Sequence, residues 1–212
     1  MITSKPLVVD LDGTLIKSDT LFESLFGFIK QYPGRFYQPL VWLLRGGKAT
    51  MKSHLIRRVH ITAEHLPYDE TVLHWLRTEK ASGRKLILAT ASHKHYADQI
   101  AEHLQLFDEV IATTDVNLAA KNKTNVLIEQ FGEKGFDYVG NSMDDIHVWQ
   151  AANYAIIVNP ELGVERRAKK LGNVEKIINS NPPPLVPWIK ALRFHQWLKN
   201  LLIFVPLLAS HQ

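Results

Sequence analysis

The chain has 212 residues, 46% hydrophobic and 22% charged, an ordinary globular composition with room for a buried core in one or two domains. It has no cysteine, which excludes a disulfide framework, a thiolate metal site and a cysteine nucleophile, and fits a reducing compartment. The net charge of +4 is too small to imply nucleic acid, and no basic stretch carries the spaced aromatics of single-strand binding.

Residues 1–16 form the first element. Leu7, Val8 and Val9 make a short apolar run bounded by a glycine, which reads as a buried parallel strand rather than a signal peptide. Asp10, Asp12, Gly13 and Thr14 follow at its carboxyl end, where open α/β sheets bind their ligands. Residues i and i+2 of an extended segment point the same way, so Asp10 and Asp12 face one site. Two carboxylates together are costly unless a cation or a phosphate-type reaction uses them.

The run Asp10-Leu11-Asp12-Gly13-Thr14-Leu15 resembles the first motif of the haloacid dehalogenase-like superfamily of phosphatases. The resemblance implies that Asp10 is a nucleophile that also binds Mg²⁺, and that Asp12 is the general acid and base.

Residues 17–80 read as helical. Ser18 and Asp19 are N-cap candidates, and Leu21, Phe22, Leu25, Phe26, Phe28 and Ile29 follow at helical spacing. Pro33-Gly34 ends that helix, and a second apolar face from Phe36 to Leu44 ends at Gly46-Gly47. Residues 49–60 and 69–80 read as two more amphipathic helices. In the superfamily a helical insertion at this point is a cap over the active site. The other reading makes 17–80 plain packing for the main core. The large apolar residues of 21–44 read as the cap's own core, with a lipid groove or a membrane-facing surface as the alternative.

Residues 81–158 alternate strands (85–90, 109–113, 136–139, 154–158) with helices (93–104, 121–131, 144–152), the pattern of a parallel sheet. Three of the junctions resemble the superfamily's remaining motifs. Thr90, at the end of an apolar strand, matches the residue whose hydroxyl holds a phosphoryl oxygen; the amides of Ala91 and Ser92 would add donors, although Ser92 also suits a helix N-cap. Lys123 matches the lysine that neutralises the nucleophile and the phosphoryl group, with Lys121 the second choice. Gly140, Asn141 and Asp145 resemble the Gly-Asp-x-x-x-Asp motif, which supplies further Mg²⁺ ligands. Asn141 departs from it, offering a neutral oxygen where Mg²⁺ favours an anionic one, unless Asp144 or Asp145 compensates. The ten histidines show no metal-ligand spacing and receive no role.

Residues 161–179 read as a closing helix and 179–187 as a Pro-rich linker. Residues 188–212 combine Trp188, Trp197, Lys190, Arg193 and Lys199 with the apolar run 201–209, the composition of a membrane-interface helix too short to span. Leu192 to Asn200 resemble the start of the first membrane helix of UbiA-type prenyltransferases, some of which carry an N-terminal haloacid dehalogenase-like domain.

The sequence therefore predicts an α/β, Rossmann-like core of residues 1–16 and 81–178, a cap of residues 17–80 and an interfacial tail. The resemblance implies a Mg²⁺-dependent phosphomonoesterase acting through an aspartyl-phosphate. Asp10 and Asp12 would be catalytic, Thr90, Ala91 and Lys123 phosphate-binding, and Asp10, Asp12, Asn141 and Asp145 metal-binding. The implied substrate is a phosphorylated small molecule or a lipid-linked one, such as a polyprenyl-phosphate derivative or phosphosugar. The expected location is cytoplasmic, peripheral on a membrane surface through the tail. The alternative is a non-catalytic docking or regulatory domain of a UbiA-type prenyltransferase. A phosphotransferase or mutase would need a second phosphate site in the cap, for which Arg57-Arg58 is the candidate.

Overall fold

A computed structural model describes residues 5–113 and 121–180. Six strands form one parallel sheet: β1 (Leu7–Val9), β2 (Leu86–His93), β3 (Glu109–Thr113), β4 (Asp137–Gly140), β5 (Ala155–Val158) and β6 (Val174–Ile178). Their spatial order is β3-β2-β1-β4-β5-β6, so the first strand is central. Helices cover both faces, as a parallel sheet requires. The α/β, Rossmann-like class is as the sequence predicts.

The period of two in β1 decides which helix goes where. Leu7 and Val9 point into a cluster with Val72, Leu73 and Leu76 of α3 (Glu70–Ala81) and Ala97 and Ile100 of α4 (Lys94–Leu104). Val8 points the other way. It meets Leu127 of α5 (Lys121–Phe131), Val148 and Trp149 of α6 (Ile146–Ala151) and Val164 and Ala168 of α7 (Val164–Lys169). Trp149 is fully buried and its indole N–H reaches the Tyr138 carbonyl oxygen at 3.3 Å.

One expectation is corrected. Residues 174–178 are not the end of a closing helix but the sixth strand. Gly172, at φ +77°, turns the chain away from the short α7. Val174, Ile177 and Ile178 then suit an edge strand, where β-branched residues pack well.

Two helices precede α3. Asp19 caps α1 (Thr20–Gln31), accepting from the Leu21 amide at 2.7 Å. The expected helices on either side of Gly46-Gly47 are one kinked element, α2 (Gln38–Ile56). Gly46 and Gly47 leave helical geometry, and Gly47 takes φ +71°. Leu21 and Phe28 of α1 with Met51, Leu55 and Val59 make a third cluster, separate from the sheet's two. The expected cap of 17–80 thus divides by packing. The first two helices have a core of their own, whereas α3 lies on the sheet. The segments joining the two parts pair with each other: the Lys17 amide donates to the Pro67 carbonyl at 2.9 Å and Asp69 N–H to Leu15 at 3.0 Å. The apolar run 21–44 also divides. Leu21 and Phe28 are buried, but Phe22, Phe26, Phe36, Tyr37, Leu40, Leu43 and Leu44 are exposed. Readings on residues 181–212 lie outside the described residues.

Trp149→Ala should cost about 3–5 kcal/mol of stability, because it empties a fully buried site. Urea unfolding monitored by far-UV circular dichroism measures it.

Candidate active site

In a sheet of this order the connections leave β1 in opposite directions on its two sides, which opens a crevice at its carboxyl end. Asp10 directly follows β1, and its amide still bonds to the Val139 carbonyl oxygen of β4 at 3.0 Å. The chain then turns sharply: the Leu15 and Ile16 amides both return to the Leu11 carbonyl oxygen at 3.0 Å. Gly13 sits in this turn at φ +73°, and a Cβ there would lie 2.3 Å from Nδ2 of Asn141. Glycine is needed both for the backbone angle and for the close approach of Asn141.

Asp10, Lys123, Tyr138 and Asp145 form a buried polar chain. The Lys123 ammonium donates to Asp10 Oδ1 at 2.8 Å and to the Tyr138 hydroxyl at 2.9 Å. That hydroxyl donates to Asp145 Oδ1 at 2.8 Å. The other oxygen of Asp145 accepts the Asn141 and Ser142 amides, both at 3.0 Å, and the Ser142 hydroxyl at 3.1 Å. Asp145 therefore ties down the loop that carries Asn141. Gly140 makes room for it, since a Cβ there would lie 2.6 Å from Oδ2. Asn141 Oδ1 accepts from the Thr14 hydroxyl at 3.3 Å, joining this loop to the β1 turn. Lys121, the alternative to Lys123, is exposed.

Asp12 has a separate set of partners. It accepts from the Thr20 amide at 2.8 Å and from the Ser92 hydroxyl at 2.6 Å. Thr20 and Ser92 also bond to each other at 2.5 Å. An irregularity in β2 after Thr90 permits this arrangement, because it turns Ala91 and Ser92 out of the regular register with β3. His93, not Ser92, caps α4. Thr90 is buried; its hydroxyl accepts from the Ser92 amide at 2.9 Å.

These residues line a cavity of about 1180 Å³. Asp10, Asp12, Ala91, Lys123, Asn141 and Asp145 lie on its wall; Thr90 does not. Five of the seven expected site residues thus meet at the end of β1, with Ala91 beside them and Thr90 beneath. The lining also carries four cations besides Lys123: Lys17 of the joining segment and Lys48, Lys52 and Arg57 of the cap. The kink at Gly46-Gly47 starts a new helical run at Lys48, on the cavity wall. Sequence reasoning missed Tyr138, and its N-cap alternative for Ser92 is corrected: the Ser92 hydroxyl serves Asp12. A tyrosine inside a buried strand must find a partner for its hydroxyl, and that was the available signal for Tyr138.

The fit of the donor set to a metal can be tested on these contacts. Among the described residues no group of three or more His, Asp or Glu could hold an ion, which argues against an all-protein cage. Both Asp145 oxygens are engaged within the protein. With Asp145 engaged and Asp12 bonded to Thr20 and Ser92, the lining oxygens left for an ion are those of Asp10, the Asn141 amide and the nearby Asp144. That is an oxygen-only set with few carboxylates, which suits Mg²⁺ because this ion keeps several of its waters.

Burial raises the Asp10 carboxyl from 3.8 to about 7, against the opposing pull of Lys123. Burial also raises Asp12, helped by the Asp19 charge and opposed by Ser92 and Thr20. Burial works against the Lys123 charge, but Asp10 and Asp145 outweigh it and hold the ammonium firmly protonated. In the metal-free protein, Asp10 binds its proton more tightly folded than unfolded. Its contribution to stability therefore falls as pH rises from about 4 to about 7. Urea unfolding in EDTA should show the advantage of wild type over Asp10→Asn shrinking across that window. Gly13→Ala should cost about 1–2 kcal/mol for the left-handed backbone alone and should displace Asn141, which thermal melting and a crystal structure of the variant would show.

Comparison with known proteins agrees with this geometry. The family model of haloacid dehalogenase-like hydrolases matches residues 7–150. A curated relative from Sinorhizobium fredii, described only as uncharacterized protein y4nM, is 37% identical over 204 residues. The match covers 95% of this chain but 39% of that relative, so the chain spans well under half its length. Among solved structures, a Bordetella pertussis protein of unknown function superposes with a TM-score of 0.61 at 16% identity, covering 84% of this chain and all of that one. A haloacid dehalogenase family hydrolase from Salmonella enterica serovar Typhi gives 0.60 at 14% identity, covering 84% of this chain and 69% of its own. A phospho-aspartyl intermediate analogue of phosphoserine phosphatase gives 0.56 at 14%, covering 89% and 99%. At such identities the structural likeness speaks for the fold alone, while the family model covers more than half of the chain: the chain belongs to the haloacid dehalogenase-like hydrolases.

Proposed function

We infer that this chain is a phosphomonoesterase that works through an aspartyl-phosphate on Asp10. One observation carries the reading. A buried carboxylate at the end of the central strand is ion-paired to Lys123 in a cavity that the cap also lines with Lys48, Lys52 and Arg57. Such a site holds a nucleophile and attracts a phosphate ester at once. Some of the neighbours by fold are phosphoserine phosphatases, one captured as a phospho-aspartyl analogue, which supports the same chemistry.

In the first step an Asp10 oxygen attacks phosphorus, the ester P–O bond breaks, and Asp12 gives its proton to the leaving oxygen. In the second step Asp12 takes a proton from water. The resulting hydroxide attacks phosphorus, the P–O bond to Asp10 breaks, and orthophosphate leaves. The raised pKa of Asp12 favours its acid form for the first step. Thr20 and Ser92 orient it. Lys123 and the Ala91 loop offset charge on the transferring group. The proposed cofactor is Mg²⁺, held by Asp10 and Asn141 with Asp144 or Asp145 nearby; when bound it supplies Lewis-acid stabilisation of phosphoryl charge. Tyr138 acts through Lys123, fixing the ammonium between Asp10 and Asp145.

The substrate class we propose is a phosphorylated small molecule or a lipid-linked phosphate. The basic cap wall of Lys48, Lys52 and Arg57 suits a substrate with a second anionic group. A second reading, a docking domain without catalysis, is favoured by Asn141 alone, since it removes a charge from the metal's surroundings.

Hydrolysis of p-nitrophenyl phosphate with Mg²⁺ and with EDTA tests these readings. Asp10→Asn should reduce turnover to background, and Asp12→Asn should lower it by about 10²–10⁴-fold. Asn141→Asp should lower the Mg²⁺ concentration for half-activation by about tenfold, the lower end of what changes around a metal carry. No turnover, together with no thermal stabilisation by Mg²⁺ and BeF₃⁻, would leave the docking reading in place.

A further inference from the structure

The outer face of the cap is not explained by the site beneath it. On α1, Phe26 and Ile29 sit at helical spacing and are exposed, whereas Phe22 lines the cavity; on α2, Leu40, Leu43 and Leu44 are exposed as well. Phe36 and Tyr37 lie between the two helices, exposed and with their rings 6.0 Å apart. Phe26 keeps 65% of its surface exposed and Leu44 78%. The buried stripes of the same helices supply the cap's core, and these residues are not part of it. A grouping of large apolar side chains on one surface marks an interaction site.

Charge decides what interacts. From residue 24 to residue 63 there is no Asp or Glu, while Lys30, Arg35, Arg45, Lys48, Lys52, Arg57 and Arg58 all fall in that stretch. A second copy of the chain meeting this face about a twofold axis would bring cation against cation. The chain's own residues 181–212 are no better matched, since they contain Lys190, Arg193 and Lys199 and no acidic residue. A surface that is apolar at its tip and negative around it satisfies both features. No described helix is long and apolar enough to cross a membrane, so the face would lie on such a surface.

We propose that the outer face of the cap docks onto an anionic lipid bilayer. Phe26, Phe36, Leu40 and Leu44 enter the boundary between headgroups and acyl chains, and Lys30, Arg35 and Arg45 meet the anionic headgroups. The inference goes beyond the phosphatase reading and does not depend on it. It differs from the interfacial role expected of the tail, since it puts the contact on the cap.

Co-sedimentation of the full chain with vesicles tests it. Phosphatidylcholine vesicles with phosphatidylserine should bind the protein, and phosphatidylcholine alone should bind it at least tenfold more weakly. Phe26→Glu with Leu44→Glu should weaken binding at least tenfold. So should Lys30→Glu with Arg35→Glu and Arg45→Glu, at about fivefold per basic residue. None of these residues lines the cavity, so hydrolysis of p-nitrophenyl phosphate and the melting temperature should stay at wild-type values. The melting temperature establishes folding even if no hydrolysis is found. Binding that persists in both cap variants but disappears in Trp188→Glu with Trp197→Glu would overturn the proposal in favour of the tail. So would a wild-type dimer that Phe26→Glu dissociates, with no binding to either vesicle.

Discussion

Three carboxylates, Asp10, Asp12 and Asp145, converge where the central strand ends, Asp10 and Asp145 buried and Asp12 half-buried. Left alone, each would be strongly disfavoured as an anion. The surrounding structure reads as compensation for that cost. Lys123 comes from a helix more than a hundred residues away and bonds to Asp10; Tyr138 hands the charge on to Asp145, which two backbone amides then satisfy. Asp12 is neutralised differently, by a backbone amide and a serine hydroxyl from the two sides of the crevice. Compensation is incomplete, since burial still pushes the Asp10 carboxyl well above its usual range despite Lys123. A group kept so short of solvation is poised for a cation or a phosphoryl group to complete its surroundings.

The sheet makes this arrangement possible. Because β1 is central, the loops after β2 and β4 both reach the turn that carries Asp12, one with Ser92 and the other with Asn141. Glycine at position 13 lets Asn141 approach the turn, and glycine at 140 makes room for the Asp145 side chain that holds the Asn141 loop. The cap adds the opposite charge. Its second helix breaks at Gly46-Gly47, and Lys48 and Lys52 of the restarted run lie on the cavity wall. The like charges four residues apart cost a little local helix stability, which is consistent with a positive wall serving a ligand rather than the fold.

Local pattern made most of the fold legible. Short apolar strands alternating with helices gave the parallel sheet, Asp19 capped the helix that begins after it, and Lys123 was preferred over Lys121 because Leu127, four residues on, faces the core. The closing segment was misread because Val174 to Ile178 is only five residues long and its two charged residues interrupt the apolar pattern equally well for a helix turn or an edge strand. Pairing with β5 settled it, and pairing is not a local property. The outer surface of the cap was misread for a related reason. Periodicity shows that a helix has an apolar face, but both α1 and α2 are apolar on two sides, and only the packed structure shows which side is used.

By itself the sequence determined the chemistry available: two carboxylates two residues apart after an apolar strand, a lysine opening a later helix, and a glycine where the turn requires one. These are fixed by residue type and short-range geometry. Tertiary structure alone decided which groups share a proton or a charge. Tyr138 joins Lys123 to Asp145, Ser92 serves Asp12 rather than a helix end, and the cap puts Lys48, Lys52 and Arg57 on the cavity while leaving Phe26 and Phe36 in solvent. Such pairings depend on distances between residues far apart in the chain, and those distances exist only once the sheet has assembled.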